Sequence, residues 1–252
     1  MILTRQQIAE IVDIAKLAGE IAKSAFLSKN FTIKHKQDGS CLTSVDTYLS
    51  KFIGEGLAKI SDIPIICEEN NLRGLNLNNF FLVDPIDGTN QFAFGNSEFC
   101  INIALISGNK PVFGIINAPL MQSKGVLAYN YGRQIFVNDT LFLPKKKTTD
   151  CLKILTSPRT SNIDITNFID RFLPKSSYQI STMSSATKFL QLLLGEENFY
   201  LHLRSSMAWD TASGHALFIY NQLAKINTLN NDELLYFSDN LQNPSFFIDM
   251  MR

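Results

Sequence analysis

Helical periodicity mixed with antiparallel hairpins predicts an α+β fold of layered sheets and helices. Three observations carry this expectation. Apolar residues recur at helical spacing over the first thirty or so positions. Two pairs of β-rich runs joined by turn residues lie between positions 99 and 137. Strands and helices then alternate through the second half, which calls for helices packed on sheets.

Residues 4–29 read as an amphipathic helix, with Ile8, Ile11, Ile14, Ala15, Ala18, Ile21, Ala22 and Ala25 on one face and Thr4 as N-cap. Residues 31–34 form a short strand and 36–40 a polar loop. A second helix spans about 44–60, with Val45, Tyr48, Leu49, Phe52, Ile53 and Leu57 inward. Residues 63–67 form a strand closed by Glu68 and Glu69, and 70–79 a polar loop. The apolar segment 80–83 reads as a buried strand ending at Asp84. Runs 99–106 and 111–116, joined by Ser107-Gly108-Asn109-Lys110, make one hairpin, and 126–131 with 134–137 another. The charged stretch 144–149 is the expected boundary between an N-terminal α+β part, 1–148, and a C-terminal α/β part, 149–252. Its three lysines read as a solvated loop. Beyond it come a strand at 152–156, a helix at 162–172, a strand at 178–180, a helix at 185–194 and a strand at 199–203. A final helix is expected just after Trp209-Asp210.

Composition excludes several classes. The 252 residues are 45% hydrophobic and 18% charged, which fits a globular chain and not a disordered one. Lys plus Arg equals Asp plus Glu at 23 each, so no basic surplus points to a nucleic-acid polymer. No apolar run approaches the roughly 20 residues of a membrane span. The first residues lack the basic-then-apolar order of a signal peptide. Cys41, Cys67, Cys100 and Cys151 are far apart, which fits reduced thiols in a cytosolic setting better than a zinc knot or disulfide scaffold.

The run Val83-Asp84-Pro85-Ile86-Asp87-Gly88-Thr89-Asn90 carries the most chemistry. Proline keeps the residue before it extended, so Asp84 ends a strand. Gly88 permits a tight turn. Asp84 and Asp87 can then face one pocket with the Ile86 carbonyl between them, a donor set suited to Mg²⁺. Gly88 and Thr89 offer N–H groups and a hydroxyl at a helix start, which suits phosphate. Taken alone, the pattern also fits a turn, since Asp-Gly and Asp-Pro are common turn formers. Four features accompany it. Glu68-Glu69 is an acidic pair that needs a cation or an exposed turn. Asp46 falls in a helix first turn, where the dipole favours an acid. Asp210 follows the single tryptophan at a helix start, as a cap or as a site residue, with small residues after it that permit a close backbone approach. Ser184-Ser185 precedes a helix holding Lys188.

In order and spacing, Glu68-Glu69, Asp84-Pro85-Ile86-Asp87-Gly88-Thr89 and Trp209-Asp210-x-Ala212-x-Gly214 resemble the inositol monophosphatase superfamily. Lys36-x-Asp38-x-Ser40-x-x-Thr43-x-x-Asp46 resembles its N-terminal signature, so the likeness spans essentially the whole chain. Residues 98–106, Lys188-Phe189 and Asn243-Pro244-Ser245-Phe246 are more similar to the bacterial 3'(2'),5'-bisphosphate nucleotidase branch. The resemblance implies a layered αβαβα, sugar-phosphatase-like fold with mixed and antiparallel sheets. It implies a Mg²⁺-dependent, lithium-sensitive phosphomonoesterase acting on a small-molecule phosphate monoester, foremost the 3'-phosphate of adenosine 3',5'-bisphosphate, by direct water attack. The rivals are an inositol or other sugar phosphatase on the same scaffold and a non-catalytic homologue; the complete acid set argues against the latter.

The same resemblance assigns roles. Glu68, Asp84, the Ile86 carbonyl, Asp87 and Asp210 would hold metal ions. Thr89, coupled to Asp46, would take a proton from the attacking water, and Glu69 would support the metal shell through water. Gly88, Thr89, Ser184, Lys188 and Asp210 would contact substrate. His35, His202 and His215 need no role. A homodimer and a peripheral contact at the inner membrane face of a cytoplasmic protein stay open. Four positions depart from the pattern, all on the substrate side: Cys41 for proline, Met183 for glycine, Phe94 for a polar or basic residue, and His202 for arginine, with Arg204 two residues on as a substitute.

Overall fold

The computed structural model describes residues 3–37, 39–69, 75–144, 147, 151–173, 177–219 and 224–251. Helices α1 (Arg5–Ser28) and α2 (Ser44–Ile60) start where the sequence places them. Thr4 caps α1 in a capping box with Gln7, and Thr43 caps α2 in a box with Asp46. Between them, β1 (Ile33–His35) and β2 (Cys41–Thr43) pair antiparallel. Asp38 of the N-terminal signature lies outside the described residues, as do 70–74 of the expected polar loop and most of the boundary stretch 144–149.

A seven-stranded sheet runs β3 (Ile65–Cys67), β4 (Asn79–Asp87), β5 (Cys100–Ser107), β6 (Lys110–Ala118), β7 (Val126–Tyr131), β8 (Gln134–Val137), β9 (Thr140–Phe142) in that spatial order. Only β3 and β4 are parallel; the rest is an antiparallel meander. The short helix α3 (Thr89–Ala93) follows β4. A mixed five-stranded sheet has the order β11 (Ser177–Thr182), β10 (Cys151–Thr156), β12 (Phe199–His202), β16 (Phe246–Asp249), β14 (Lys225–Thr228). Helix α4 (Asn162–Phe172) connects β10 to β11, and α5 (Thr187–Leu194) connects β11 to β12. A two-stranded ladder, β13 (Ser206–Met207) with β15 (Gln242–Asn243), adjoins α6 (Ala208–Ile219).

Period-two side chains sort these elements into layers. Phe81 and Val83 face α1 and α2, together with Ile11, Leu49 and Ile53. Their neighbours Phe80 and Leu82 face the other way, onto α5 and α6, with Phe189, Trp209 and Phe218. Across α5 and α6 lie Tyr200, Phe246 and Ile248 of the five-stranded sheet. The alternate residues Phe199, Leu201 and Phe247 turn outward to Phe168 and Ile169 of α4. The order is α1/α2, sheet, α5/α6, sheet, α4: the expected αβαβα stack. Helix α6 is apolar nearly all round because both sides are covered. Gly214 makes the close approach possible, since a Cβ there would meet the Phe189 ring at 2.1 Å.

Several expectations shift. Tyr48, on the expected inward face of α2, is 57% exposed. Helix α6 begins at Ala208, so Asp210 sits in its first turn and does not cap it from outside. β2, β9, β13, β14, β15 and β16 carry no strand signal in the sequence. Lys147, read as solvated, turns inward and donates to the carbonyls of Gly195 (2.8 Å), Glu197 (2.7 Å) and Leu192 at the end of α5. Burial pushes its ammonium down to about 8. No helix among the described residues is long and apolar enough to cross a membrane.

Candidate active site

Strand β3 ends beside Val83, whereas β4 does not stop at Asp84 as the proline suggests but resumes pairing, after an irregularity, at Asp87. Cys67 is in register with Val83, and Glu68 N–H donates to the Val83 carbonyl at 3.0 Å. Glu68 therefore lands beside Asp84. Asp84 is fixed by its own turn, its Oδ1 accepting from Ile86 N–H at 3.1 Å. Pro85 brings no N–H to the ladder, and the β4–β5 register shifts between Asp84 and Asp87. Gly88 then takes φ +93°, and a Cβ there would meet the Glu98 carbonyl at 2.9 Å. Both facts require glycine. From the opposite side the first turn of α6 brings Asp210.

Glu68, Asp84 and Asp210 present carboxylate oxygens that all lie within 4.8 Å of one another. Burial and mutual repulsion hold Asp84 and Asp210 well above the usual carboxylate range. Burial raises Glu68 too, against the charge of Lys36. Carboxylates gathered this way in a partly buried pocket are a fitting donor set for a hard divalent cation. Asp87 lines the same pocket, but its Oδ2 accepts from Ala186 N–H and from Asn102 Nδ2 at 3.2 Å. The structure thus separates Asp87, which ties β4 to the start of α5, from the tight group of three. The Ile86 carbonyl accepts from Thr89 Oγ1 at 2.9 Å.

Thr89 Oγ1 also lies 2.9 Å from Asp46 Oδ1. Asp46 is 1% exposed, and its second oxygen accepts from Thr43 N–H at 2.9 Å and from the Thr43 hydroxyl. Burial raises the Asp46 carboxyl, against these hydrogen bonds. Glu69 meets Lys36 at 2.8 Å, and the same ammonium reaches Glu68 at 2.9 Å. Burial works against that ammonium, yet its bonds to Glu69 and Glu68 hold it above the usual lysine range.

Glu68, Asp84, Ile86, Asp87, Gly88, Thr89 and Asp210 line one pocket of about 340 Å³, and Asp46 meets it through Thr89. Three cations, Lys188, Arg159 and Arg204, line it too, and Lys188 lies close enough to feel Asp87 and Asp210. None of the three forms an ion pair among the described residues. Lys188 is 5% exposed and donates to the Ser185 carbonyl; burial lowers its ammonium against the pull of Asp87. Arg204 donates to the Arg159 carbonyl at 3.2 Å. Ser184 is held by Gln91 Nε2 at 3.1 Å and, through its N–H, by Glu98 at 2.9 Å.

Sequence reasoning missed Arg159, Tyr200 and Ser206, and set His202 aside. His202 Nδ1 lies 3.3 Å from the Tyr200 hydroxyl, its ring stacks on Phe246 at 4.9 Å, and Nε2 is buried without a well-formed hydrogen bond. Burial, with the charges of Lys188 and Arg159, lowers it to about 4, so the ring is neutral near pH 7. Nothing in sequence marks such a histidine except its place in the family pattern. His215 packs in the core, its Nδ1 3.2 Å from the Tyr236 hydroxyl. Cys41 lines the pocket and donates its N–H to Asn90, while Phe94 is 76% exposed.

A sequence model of the inositol monophosphatase family matches residues 4–218. The chain belongs to that family. It is 30% identical over 224 residues to the 3'(2'),5'-bisphosphate nucleotidase CysQ of Buchnera aphidicola, covering 85% of this chain and 82% of that protein. It is 28% identical over 218 residues to the Salmonella typhimurium nucleotidase of the same name, covering 83% and 86%. Among solved structures, CysQ from Bacteroides thetaiotaomicron superposes with TM-score 0.76 at 24% identity, over 97% of each chain. An IMPase/NADP phosphatase complexed with Mg²⁺ and phosphate gives 0.75 at 20% identity, over 97% of this chain and 91% of that one. The αβαβα stack and a phosphatase of the inositol monophosphatase superfamily follow.

Proposed function

We propose that this phosphatase is Mg²⁺-dependent and removes the 3'-phosphate of adenosine 3',5'-bisphosphate. The observation that carries the reading is a pocket lined by two sets of charge. Carboxylates gather around Glu68, Asp84 and Asp210, and Lys188, Arg159 and Arg204 line the same pocket without an ion pair among the described residues. A substrate with one phosphate needs only the first set. One with a second phosphate also meets Lys188, Arg159 and Arg204. The nucleotidase relatives support the same choice.

Glu68, Asp84 and Asp210 would hold the cation, with Asp87 and the Ile86 carbonyl beside them. When bound, Mg²⁺ neutralises phosphate charge and lowers the pKa of water. Thr89 Oγ donates to one acceptor at a time, and the charged Asp46 is a stronger acceptor than the Ile86 carbonyl. With its proton directed at Asp46, the hydroxyl keeps a lone pair for the proton of the attacking water. Asp46, raised by burial, receives the relayed proton more readily than an exposed aspartate would. The Thr43 N–H and hydroxyl hold Asp46 in place throughout. Glu69, paired with Lys36, supports Glu68 from outside the tight group. The N–H groups of Gly88 and Thr89 seat the scissile phosphate, flanked by Ser184.

The test is phosphate release from adenosine 3',5'-bisphosphate, inositol 1-phosphate and fructose 1,6-bisphosphate, with Mg²⁺, with chelator and with Li⁺. The adenosine compound should be the best substrate, chelation should abolish turnover, and Li⁺ should inhibit. Full activity after exhaustive chelation would end the metal reading. Faster inositol phosphate hydrolysis would move the chain to the sugar-phosphatase reading.

A further inference from the structure

We infer that Asn243, which lies outside the pocket, is a positioning residue that sets the carboxylate of Asp210 for the metal ion. This rests on the reading that the carboxylate group binds a divalent cation. Asp210 Oδ2 accepts from the Met207 N–H at 2.9 Å, which leaves Oδ1 for the pocket. The direction of the carboxylate therefore depends on where Met207 stands. Met207 precedes α6, so no helical bond fixes its N–H. Its backbone is held by a ladder of two residue pairs, Ser206 with Asn243 and Met207 with Gln242, and by the Ala208 N–H donated to the Leu241 carbonyl at 2.7 Å. Asn243 adds a side-chain restraint on the Met207 carbonyl itself. Its Nδ2 donates one hydrogen to the Met207 carbonyl at 2.8 Å and the other to Thr211 Oγ1 at 2.6 Å.

Both hydrogens of that amide are spent on the residues that flank Asp210 in this turn. Asn243 is 3% exposed, so water does not replace it. Thr211 is held from behind as well, by the Tyr236 hydroxyl at 3.2 Å, and Tyr236 in turn by His215. A buried amide that grips the backbone before Asp210 and the hydroxyl after it fixes the carboxylate between them. Other side chains fail for identifiable reasons. Aspartate would set an oxygen against the Met207 carbonyl, and leucine would fill the space without donating. The role also gives a use to the Asn-Pro-Ser-Phe segment, whose Phe246 supports the His202 ring.

The experiment is direct Mn²⁺ binding by the purified full-length protein, read from the free-ion electron paramagnetic resonance signal, alongside the Mg²⁺ concentration for half-maximal activity. Asn243→Leu should weaken Mn²⁺ binding about tenfold or more, the usual cost of losing a group that orients a metal ligand. The Mg²⁺ half-saturation should move in step, with kcat largely restored at saturating Mg²⁺. Asn243→Ser, milder and still able to donate once, should fall between; it carries the test if the leucine variant does not fold. Tyr236→Phe removes a bond to the same Thr211 but leaves Met207 alone. It should lower Tm while leaving Mn²⁺ affinity within about twofold, well inside the range expected of an orienting group. Unchanged Mn²⁺ affinity in the Asn243 variants would overturn the inference while leaving the metal site standing. An equal shift in Tyr236→Phe would overturn it by showing general loosening. A wild-type protein that binds no Mn²⁺ would overturn the metal reading itself, and the inference with it.

Discussion

The acidic and the cationic sides of the pocket lining are built differently. On the acidic side every side chain is locked: Asp84 by Ile86 N–H, Asp46 by Thr43, Asp210 by Met207 N–H, Asp87 by Ala186 and Asn102. The scaffold there is strand ends and helix starts. On the cationic side, Arg159 and Arg204 stand exposed on loops, held to each other by one backbone contact. The contrast separates chemistry from choice. Rigid donors suit a metal and a proton relay, where small displacements are costly. Arg159 and Arg204, long and solvated, suit recognition of a second anion, which tolerates adjustment, while the buried Lys188 stands between them and the acids.

Breaking the acidic side should have the largest effect. Asp84→Asn should cut kcat at least ~1,000-fold, about 4 kcal/mol in barrier, with the circular dichroism spectrum retained. A variant within about a tenth of wild-type kcat would remove Asp84 from the metal site. Thr89→Ala should come next, lowering kcat roughly 100-fold while KM changes little, because the hydroxyl acts in the transition state. Raised KM with kcat intact would instead make Thr89 a phosphate ligand only.

Damage to the cationic side should be milder and selective. Arg159→Ala and Arg204→Ala should each lower kcat/KM for adenosine 3',5'-bisphosphate about tenfold, some 1.4 kcal/mol. Hydrolysis of adenosine 3'-monophosphate should be unaffected. Equal losses on both compounds would show that the arginines serve the scissile phosphate.

The smallest effect concerns stability. In metal-free protein, Asp84, Glu68 and Asp210 have raised folded-state values, so the native state binds more protons than the unfolded chain. Their contribution is full below the unfolded carboxylate value of ~4 and is lost as pH rises through the folded values. Mg²⁺ should therefore raise Tm more at pH 8 than at pH 5. Differential scanning with and without chelator checks this; equal gains at both pH values would contradict it.

The acidic side was legible in the sequence because its signals are local. Residues 80–90 carry a strand, a proline, a glycine and two acids in one run. Thr43 and Asp46 form a cap three residues apart. The cationic side depends on long-range placement. Arg159 reaches the pocket only because β10 and β12 are parallel neighbours in the second sheet. His202 is a lone histidine until Phe246 is found beneath it, and Phe246 lies in a four-residue strand with no periodic signal. β14 and β16 escaped notice for the same reason: they are short, and their partners are not adjacent in sequence. Lys147 looked solvated inside a lysine run because its carbonyl partners lie 45 to 50 residues away.

The most direct test of a pocket that reads two phosphates is the ratio of kcat/KM for adenosine 3',5'-bisphosphate to that for adenosine 3'-monophosphate in the wild-type protein. The two compounds share the scissile bond and the base, and differ only in the second phosphate. A working cationic side predicts a ratio of at least ~100, or ~2.7 kcal/mol of differential transition-state binding. A ratio near one would mean that Lys188, Arg159 and Arg204 do not read a second phosphate, and would contradict the account.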